Sequence, residues 1–256
     1  VRDEPLHGRH ALVTGGSRGI GTAIARRLAE RGATVTILGR EAVRLEQVAK
    51  EIGADGFVTA DVTDRDALTA AIAEAEATHG GVAILVNNAG AAESAPFLKS
   101  SPELFSRMLS VNLESVVTAC HAVLPGMIAE GYGRVVNIAS TAGLKGYRYV
   151  SAYVAAKHAV IGLTRALALE TAERGVTVNA ICPGFTDTDL LRGSVERIVE
   201  KTGRDEAEVI SEMVKDNPQK RLIAPEEIAD AVIWLASPSA RSVTGQSIAI
   251  AGGEVM

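Results

Sequence analysis

Tyr153 and Lys157 stand four residues apart in Ser151-Ala152-Tyr153-Val154-Ala155-Ala156-Lys157, and Ser140 precedes the tyrosine by thirteen. The run from Tyr153 to Glu170 has no Pro, a single Gly and abundant Ala and Leu, so a helix is expected. Residues four apart on a helix share a face, which sets the phenol beside the ammonium. A cation there favours phenolate and draws the phenol's pKa down from about 10, as general acid–base chemistry needs. One such pair is weak alone; its weight comes from the rest of the chain.

Apolar runs bounded by turn residues alternate with helical stretches throughout. Strands are expected at His10–Thr14, Thr34–Leu38, Gly56–Thr59, Val82–Val86, Arg134–Ile138, Thr177–Ile181 and Ser247–Ile250. Helices are expected at 20–30, 41–52, 64–77 with Asp64 as N-cap, 101–126 with Pro102 in its first turn, 153–170 and 225–236. Continuous apolar strands alternating with helices imply an α/β fold with a parallel sheet covered on both faces. Right-handed crossovers and a Gly-rich first turn make it the doubly wound, seven-stranded Rossmann arrangement. No linker divides residues 1–256, so a single domain is expected.

The bulk composition narrows the function classes. The chain is 47% hydrophobic and 22% charged, which supplies a core and carries no disorder signature. A net charge of −5 argues against nucleic acid as partner. No membrane partner is expected, because no run of about 18 apolar residues is evident and Val1-Arg2-Asp3-Glu4-Pro5 has no signal-peptide core. Cys120 and Cys182 lie in apolar segments without metal or redox spacing, and the five histidines are scattered, so no metal is expected. A cytoplasmic protein follows.

Where the first strand turns into the first helix the chain reads Thr14-Gly15-Gly16-Ser17-Arg18-Gly19-Ile20-Gly21. Missing side chains there let backbone approach a pyrophosphate, whose charge the helix N-terminus favours; the alternative is a plain tight turn. Thr22 stands where a nucleotide-triphosphate loop needs lysine. At the end of the second strand, Leu38-Gly39-Arg40-Glu41 lacks the carboxylate that holds a ribose 2′-hydroxyl and offers a guanidinium instead. With Arg18 it favours a 2′-phosphate, hence NADP(H); NAD(H) stays open, because Glu41 can swing in or Arg40 can stack on adenine. Asp61-Val62 is placed to reach the adenine, and Asn87-Asn88-Ala89-Gly90 ends the fourth strand at the edge where such sheets bind ligands.

Residues 186–220 are the expected specificity element. Val195, Ile198 and Val199, then Val209, Ile210, Met213 and Val214, recur at helical spacing about Thr202-Gly203, with Asp205 and Glu208 as a capping start. Two short helices there make a lid, with Phe185, Leu190 and Leu191 turned inward. The Tyr153 helix is apolar nearly all round (Val160, Ile161, Leu163, Leu167, Leu169), so a second subunit is expected to cover it.

Taken together, Thr14 to Gly21, Asp61-Val62, Asn87 to Gly90, Asn112, Ser140, Tyr153 with Lys157, and Pro183-Gly184 resemble the short-chain dehydrogenase/reductase family over nearly the whole chain. The resemblance implies an NAD(P)(H)-dependent oxidoreductase, usually tetrameric, with an Asn112–Ser140–Tyr153–Lys157 tetrad. Lys157 then holds the nicotinamide ribose, and Asn112 holds a water in a proton relay unless it is merely a buried amide. Ser140 steadies a substrate carbonyl, although a serine after a strand is also a common cap. The cofactor set is Gly15, Ser17, Arg18, Gly19, Ile20, Arg40, Asp61, Val62, Asn88, Ala89, Gly90, Tyr153, Lys157, Pro183, Gly184, the backbone of Thr186, and Thr188 toward the nicotinamide amide. The substrate pocket is Ser140, Ala142, Leu144, Tyr147, Tyr149, Phe185, Leu190 and Leu191.

Stretches 131–146 and 178–188 look most like β-ketoacyl reductases, 3-hydroxyacyl-CoA dehydrogenases and polyketide ketoreductases. Two departures stand out. Thr186 replaces the usual Ile or Val, and of the basic pair that docks a carrier protein only Arg174 is matched, Gly131 standing at the other position. The reading is an NADP(H)-preferring reductase of a 3-oxoacyl thioester. The rival is an NAD-linked dehydrogenase of a secondary or alicyclic alcohol or a hydroxyacyl-CoA, and a remote one is a non-catalytic NADP(H) sensor.

Overall fold

A computed structural model describes residues 6–256; Val1 to Pro5, read above for a leader, lie outside the described residues. The strands are β1 His10–Thr14, β2 Thr34–Gly39, β3 Gly56–Thr59, β4 Val82–Asn87, β5 Gly133–Ile138, β6 Val176–Pro183 and β7 Ser247–Ile250. They form one parallel sheet in the order β3-β2-β1-β4-β5-β6-β7. The helices are α1 Gly19–Glu30, α2 Ala42–Ile52, α3 Arg65–His79, α4 Pro102–Leu109, α5 Ser115–Ala129, α6 Ser151–Thr171, α7 Asp189–Thr202, α8 Glu206–Met213 and α9 Pro225–Ala236. This is the doubly wound α/β arrangement expected from the alternation of elements.

Successive residues of a strand point to opposite faces, so an uninterrupted apolar strand feeds two cores. Val13, Ile37 and Val86 meet α1, α2 and α9 on one side. Leu12, Leu38 and Leu85 meet α3, α5 and α6 on the other. The strand order reverses between β1 and β4, and doubly wound sheets bind ligands at the carboxyl ends beside such a switch point.

The long helix expected at 101–126 runs from Pro102 to Ala129, but not as regular α-helix throughout. Ser101 caps α4 by accepting from the Leu104 amide at 3.4 Å, but Ser110–Glu114 forms a π-helical turn before α5 begins. A π turn holds one extra residue and occurs mostly at functional sites; Asn112 lies within it. The whole helical run Pro102–Ala129 is long and apolar enough to cross a bilayer by length and composition, although polar residues interrupt it and no 18 consecutive apolar residues occur. Half of its apolar window is buried against the sheet and neighbouring helices, so packing accounts for its character.

Beneath the carboxyl edge runs a buried polar chain. Asn87 Nδ2 donates to Asn137 Oδ1 (2.8 Å), Asn137 Nδ2 to Thr164 Oγ1 (2.9 Å), and Thr164 Oγ1 to the Val160 carbonyl (2.8 Å). It locks the ends of β4 and β5 to α6, the helix that carries Tyr153. Asn137→Val leaves the Asn87 and Thr164 groups buried without their partner, at about 1–3 kcal/mol each. The expected loss is about 2–4 kcal/mol in chemical denaturation, and a loss below about 0.5 kcal/mol would show that the chain does not tie the elements together.

Candidate active site

Ser140 follows β5, and Tyr153 and Lys157 occupy the first two turns of α6, so sheet edge and helix face each other there. Ser140 does two jobs. Its Oγ accepts from the Ala142 amide at 3.1 Å, capping a short 3₁₀ turn at 141–143, and it hydrogen-bonds the Tyr153 phenol. The cap is therefore formed, and the same hydroxyl meets the tyrosine. The Lys157 ammonium lies 5.7 Å from the centre of the Tyr153 ring and donates to the Ile138 carbonyl at 2.9 Å.

The electrostatics depart from the sequence expectation. Burial raises the Tyr153 phenol above its ordinary value, and the Ser140 hydrogen bond pulls only partly the other way. The lysine does not reverse this, because its ammonium is turned to a carbonyl and is itself brought down to about 8 by burial. Desolvation disfavours both charged forms. Cys182, beneath the site, is a buried free thiol pushed up to about 11, and Cys120 is pushed up to about 12, both by burial. Neither is an activated nucleophile.

Asn112 comes to the same place from the π turn. Its Nδ2 donates to the Ala91 carbonyl (2.9 Å) and the Met108 carbonyl (3.0 Å), and its Oδ1 accepts from the Ala91 amide at 3.4 Å. These bonds make it a brace of the loop after β4 and engage the side chain that the resemblance assigned to a relay water. A methyl on Gly90 would stand 2.7 Å from Asn112 Oδ1 and 3.6 Å from Lys157 Nζ, so only glycine lets this loop pass.

The glycine turn is held from below by Thr14. Its Oγ1 accepts from the Asn88 and Ala89 amides, each at 3.0 Å, while Asn88 Nδ2 donates to the Thr14 (2.9 Å) and Gly15 (3.1 Å) carbonyls. The Asn88 side-chain amide is thus engaged within the protein, and Asn88 acts by shaping the loop. Gly15 and Gly19 have φ of +65° and +52°, which disfavours any side chain. A methyl on Gly21 would collide with the Gly15 carbonyl. Arg18 offers no side-chain cap to α1 and no acid lies in its first turn, so the amides of Gly19 and Ile20 are suited to an anion. This cradle and the nearby ammonium fit a dinucleotide's pyrophosphate and ribose.

At the far end of the cradle, Ser17 is buried beside Gly39. Arg18 pairs with Glu41 at 3.2 Å, and Arg40 stands 3.9 Å from Asp61. The Asp61 carboxyl is held below its ordinary value, mainly by accepting from the Thr63 amide (2.9 Å) and hydroxyl (2.7 Å). Val62, beside it, packs on the core under β3. Arg44, which sequence reasoning missed, donates to the Ser17 carbonyl at 3.0 Å; its position in the first turn of α2, facing the glycine turn, was the available signal.

Past β6, the Gly184 amide donates to the Ile250 carbonyl at 3.0 Å, and Pro183 is paired with Ile250 in the sheet. Thr186 is buried and donates its hydroxyl to the Gly184 carbonyl at 3.0 Å. Thr188 caps α7, accepting from the Leu191 amide at 3.3 Å, so the hydroxyl expected to meet a nicotinamide amide is engaged in starting the helix. A methyl on Gly19 would be 3.1 Å from Thr188 Cγ2, which shows how closely this segment covers the glycine turn.

The residues expected to wall the pocket are differently placed. Tyr147 and Phe185 pack edge to face at 6.4 Å, Ala142 is buried, Leu144 leans on the α5–α6 core, and Leu191 is half-buried. Two residues do not face inward. Leu190 is 59% exposed, because it sits on the outer side of the first turn of α7. Tyr149 is 61% exposed with φ +68°, because its carbonyl is held at 2.7 Å by the Ala95 amide, leaving the ring at the rim.

A family model described as short chain dehydrogenase matches residues 9–198. Acetoacetyl-CoA reductase of Rhizobium meliloti (strain 1021) is 40% identical over 248 residues, 96% of this chain and 98% of its own. D-beta-hydroxybutyrate dehydrogenase of Cupriavidus necator is 38% identical, covering 98% of this chain and 99% of its own. Among solved structures, a single-substitution variant of actinorhodin polyketide ketoreductase with NADPH superposes with a TM-score of 0.91 at 36% identity, covering 96% of this chain and 97% of that one. The chain belongs to the short-chain dehydrogenase family. It is an NAD(P)-dependent oxidoreductase of that family, with ketoreductase-like members among its relatives.

Lys157 also carries a stability signature. Its folded pKa of about 8 lies below the ordinary value of 10.5, so between those values the unfolded chain binds the extra proton and stability rises with pH. The cysteines act oppositely above pH 9, since their folded values are raised. Comparing wild type with Lys157→Met removes most of their contribution, Cys182 keeping a coupling to the amine that ranks below burial. The stability difference should move in favour of wild type by on the order of 2–3 kcal/mol between pH 7 and pH 10 in urea denaturation without cofactor. A difference independent of pH would mean that the amine is not buried as described.

Proposed function

We propose that this protein is an NADP(H)-preferring reductase of a 3-oxoacyl thioester or closely related β-keto compound, working in the cytoplasm. The observation that carries the reading is the convergence of Ser140, Tyr153 and Lys157 where β5 ends against α6. The glycine turn and the amides of Gly19 and Ile20 would hold the pyrophosphate. Asp61 and Val62 would border the adenine, Ala89 and Gly90 the cofactor's middle, and Pro183 to Thr188 the nicotinamide. Bound there, a reduced nicotinamide supplies the hydride.

The chain's own residues handle the carbonyl oxygen. Ser140 donates a hydrogen bond as negative charge develops on that oxygen, and Tyr153 delivers the proton that completes the alcohol. Tyr153's raised pKa suits a donor that is still protonated when the substrate binds. Lys157 is close enough to steady the phenolate left behind, and its pKa near 8 keeps the ammonium the majority form at neutral pH.

The arginines at Arg18 and Arg40 support a 2′-phosphate, which forms charge-assisted bonds stronger than those of either exposed ion pair. The engagement of the same arginines by Glu41 and Asp61 favours the second reading, an NAD-linked dehydrogenase of a secondary alcohol. Residues 186–220, with α7 and α8, are the substrate lid in a single-domain enzyme. Leu169, 84% exposed on apolar α6, supports a homotetramer.

Two measurements test the proposal. Tyr153→Phe should lower kcat by about 10³-fold or more while the dinucleotide Kd stays within about threefold; an active variant would assign the proton to another group. Arg40→Ala should cost about 10–100-fold in kcat/KM with NADPH and little with NADH. Wild type preferring NADH would refute the cofactor assignment.

A further inference from the structure

The mechanism leaves one charged cluster unused. The side chain of Glu254 is only 3% exposed, and its Oε1 lies 3.0 Å from Lys145 Nζ and 2.5 Å from the Tyr147 hydroxyl, which donates to it. The Lys145 ammonium, 31% exposed, also stands 4.9 Å from the Tyr147 ring centre. The Tyr147 oxygen is 2.7 Å from Thr141 Oγ1, one residue from Ser140, and its ring meets Phe185 edge on. A methyl on Gly184 would lie 3.2 Å from Glu254 Oε2, so the carboxylate spans from the catalytic loop to the segment after β6.

The turn that delivers Glu254 is itself fixed. The Glu254 amide donates to the Ala251 carbonyl at 3.1 Å, Gly252 approaches Asn217 too closely for any side chain, and Gly253 has a φ of +89°. Burial, then the Glu254 hydrogen bond, hold the Tyr147 phenol above its ordinary pKa, so it keeps its proton on the carboxylate. A substrate group beside the carbonyl therefore meets a lysine whose charge the buried Glu254 carboxylate already offsets. In a partly desolvated cleft that pair offers an anion no net charge against its lost hydration, and it tolerates a neutral group.

We infer that Glu254 sets the charge selectivity of the substrate cleft: by neutralising Lys145 and engaging Tyr147 it admits an uncharged 3-oxo ester or thioester and turns away a free 3-oxo carboxylate. This rests on reading the chain as a 3-oxo reductase, and Glu254 is a specificity-determining residue that takes no part in the proton transfer.

Acetoacetate and ethyl acetoacetate, which share the reacting ketone and differ in charge, are the test pair, each reduced at saturating NADPH. Wild type should favour the ester in kcat/KM by at least tenfold. Glu254→Gln keeps the shape and an acceptor for Tyr147 but frees the Lys145 charge. It should raise the acid-to-ester ratio tenfold or more, mainly through KM for the acid, and adding Lys145→Met should abolish the gain. Lys145→Met alone should lower the ratio further, which keeps the idea testable if the glutamine variant does not fold. An unchanged ratio, or a wild type that prefers acetoacetate, overturns the inference. If both reductions still depend on Tyr153, that failure leaves the proposed function standing. Should neither compound turn over, the functional reading fails, and butyrate binding followed by intrinsic fluorescence decides the charge argument. Saturable binding to Glu254→Gln alone supports it, and equal binding to both proteins defeats it.

Discussion

The structure depends on a lysine kept out of water. Lys157 is 5% exposed, with a backbone carbonyl and a phenol beside its ammonium. An ammonium so placed is costly unless something favours its charged form. The end of β5 provides the Ile138 carbonyl, and the polar chain Asn87–Asn137–Thr164 holds that end against α6. The site is thereby left short of negative charge, which suits an electron-rich ligand group and the transient phenolate of Tyr153.

The cofactor cradle is built mainly from backbone. Thr14 and Asn88 tie the glycine turn to the end of β4, so two loops from strands far apart in sequence form one rigid floor. With side chains removed at Gly15, Gly19 and Gly21, the backbone is left to make the contacts. Preorganisation of this kind reduces the entropy lost when a charged ligand binds. The π turn at Ser110–Glu114 serves the same end, aiming Asn112 at the Gly90–Ala91 backbone.

Much of this was legible in the chain. The strands His10–Thr14, Gly56–Thr59 and Ser247–Ile250 and the helix Pro225–Ala236 have the bounds expected from pattern alone, because apolar runs and turn residues punctuate them sharply. The i,i+4 relation of Tyr153 and Lys157 is a property of helix geometry and needed no tertiary information. Other features were hidden. The π turn at Ser110–Glu114 has no Gly or Pro to announce it, since the extra residue is accommodated by packing. Arg44 and Glu254 carry no local motif, and the role of Thr14 under the glycine turn depends, like theirs, on distant partners, 74 positions away for Thr14, 27 for Arg44 and 107 for Glu254.

By itself the sequence determined the doubly wound sheet, the glycine turn at its first crossover and the phenol–amine pair, because each follows from local periodicity or spacing. Only the tertiary structure decided the ionisation of that pair. Spacing predicted a phenol made acidic by its neighbour, whereas desolvation, which depends on everything packed around the two groups, raises the phenol and lowers the amine. The same holds for Tyr149 and Leu190, which sit at the rim because backbone bonds and helix phase, set by distant segments, turn them outward.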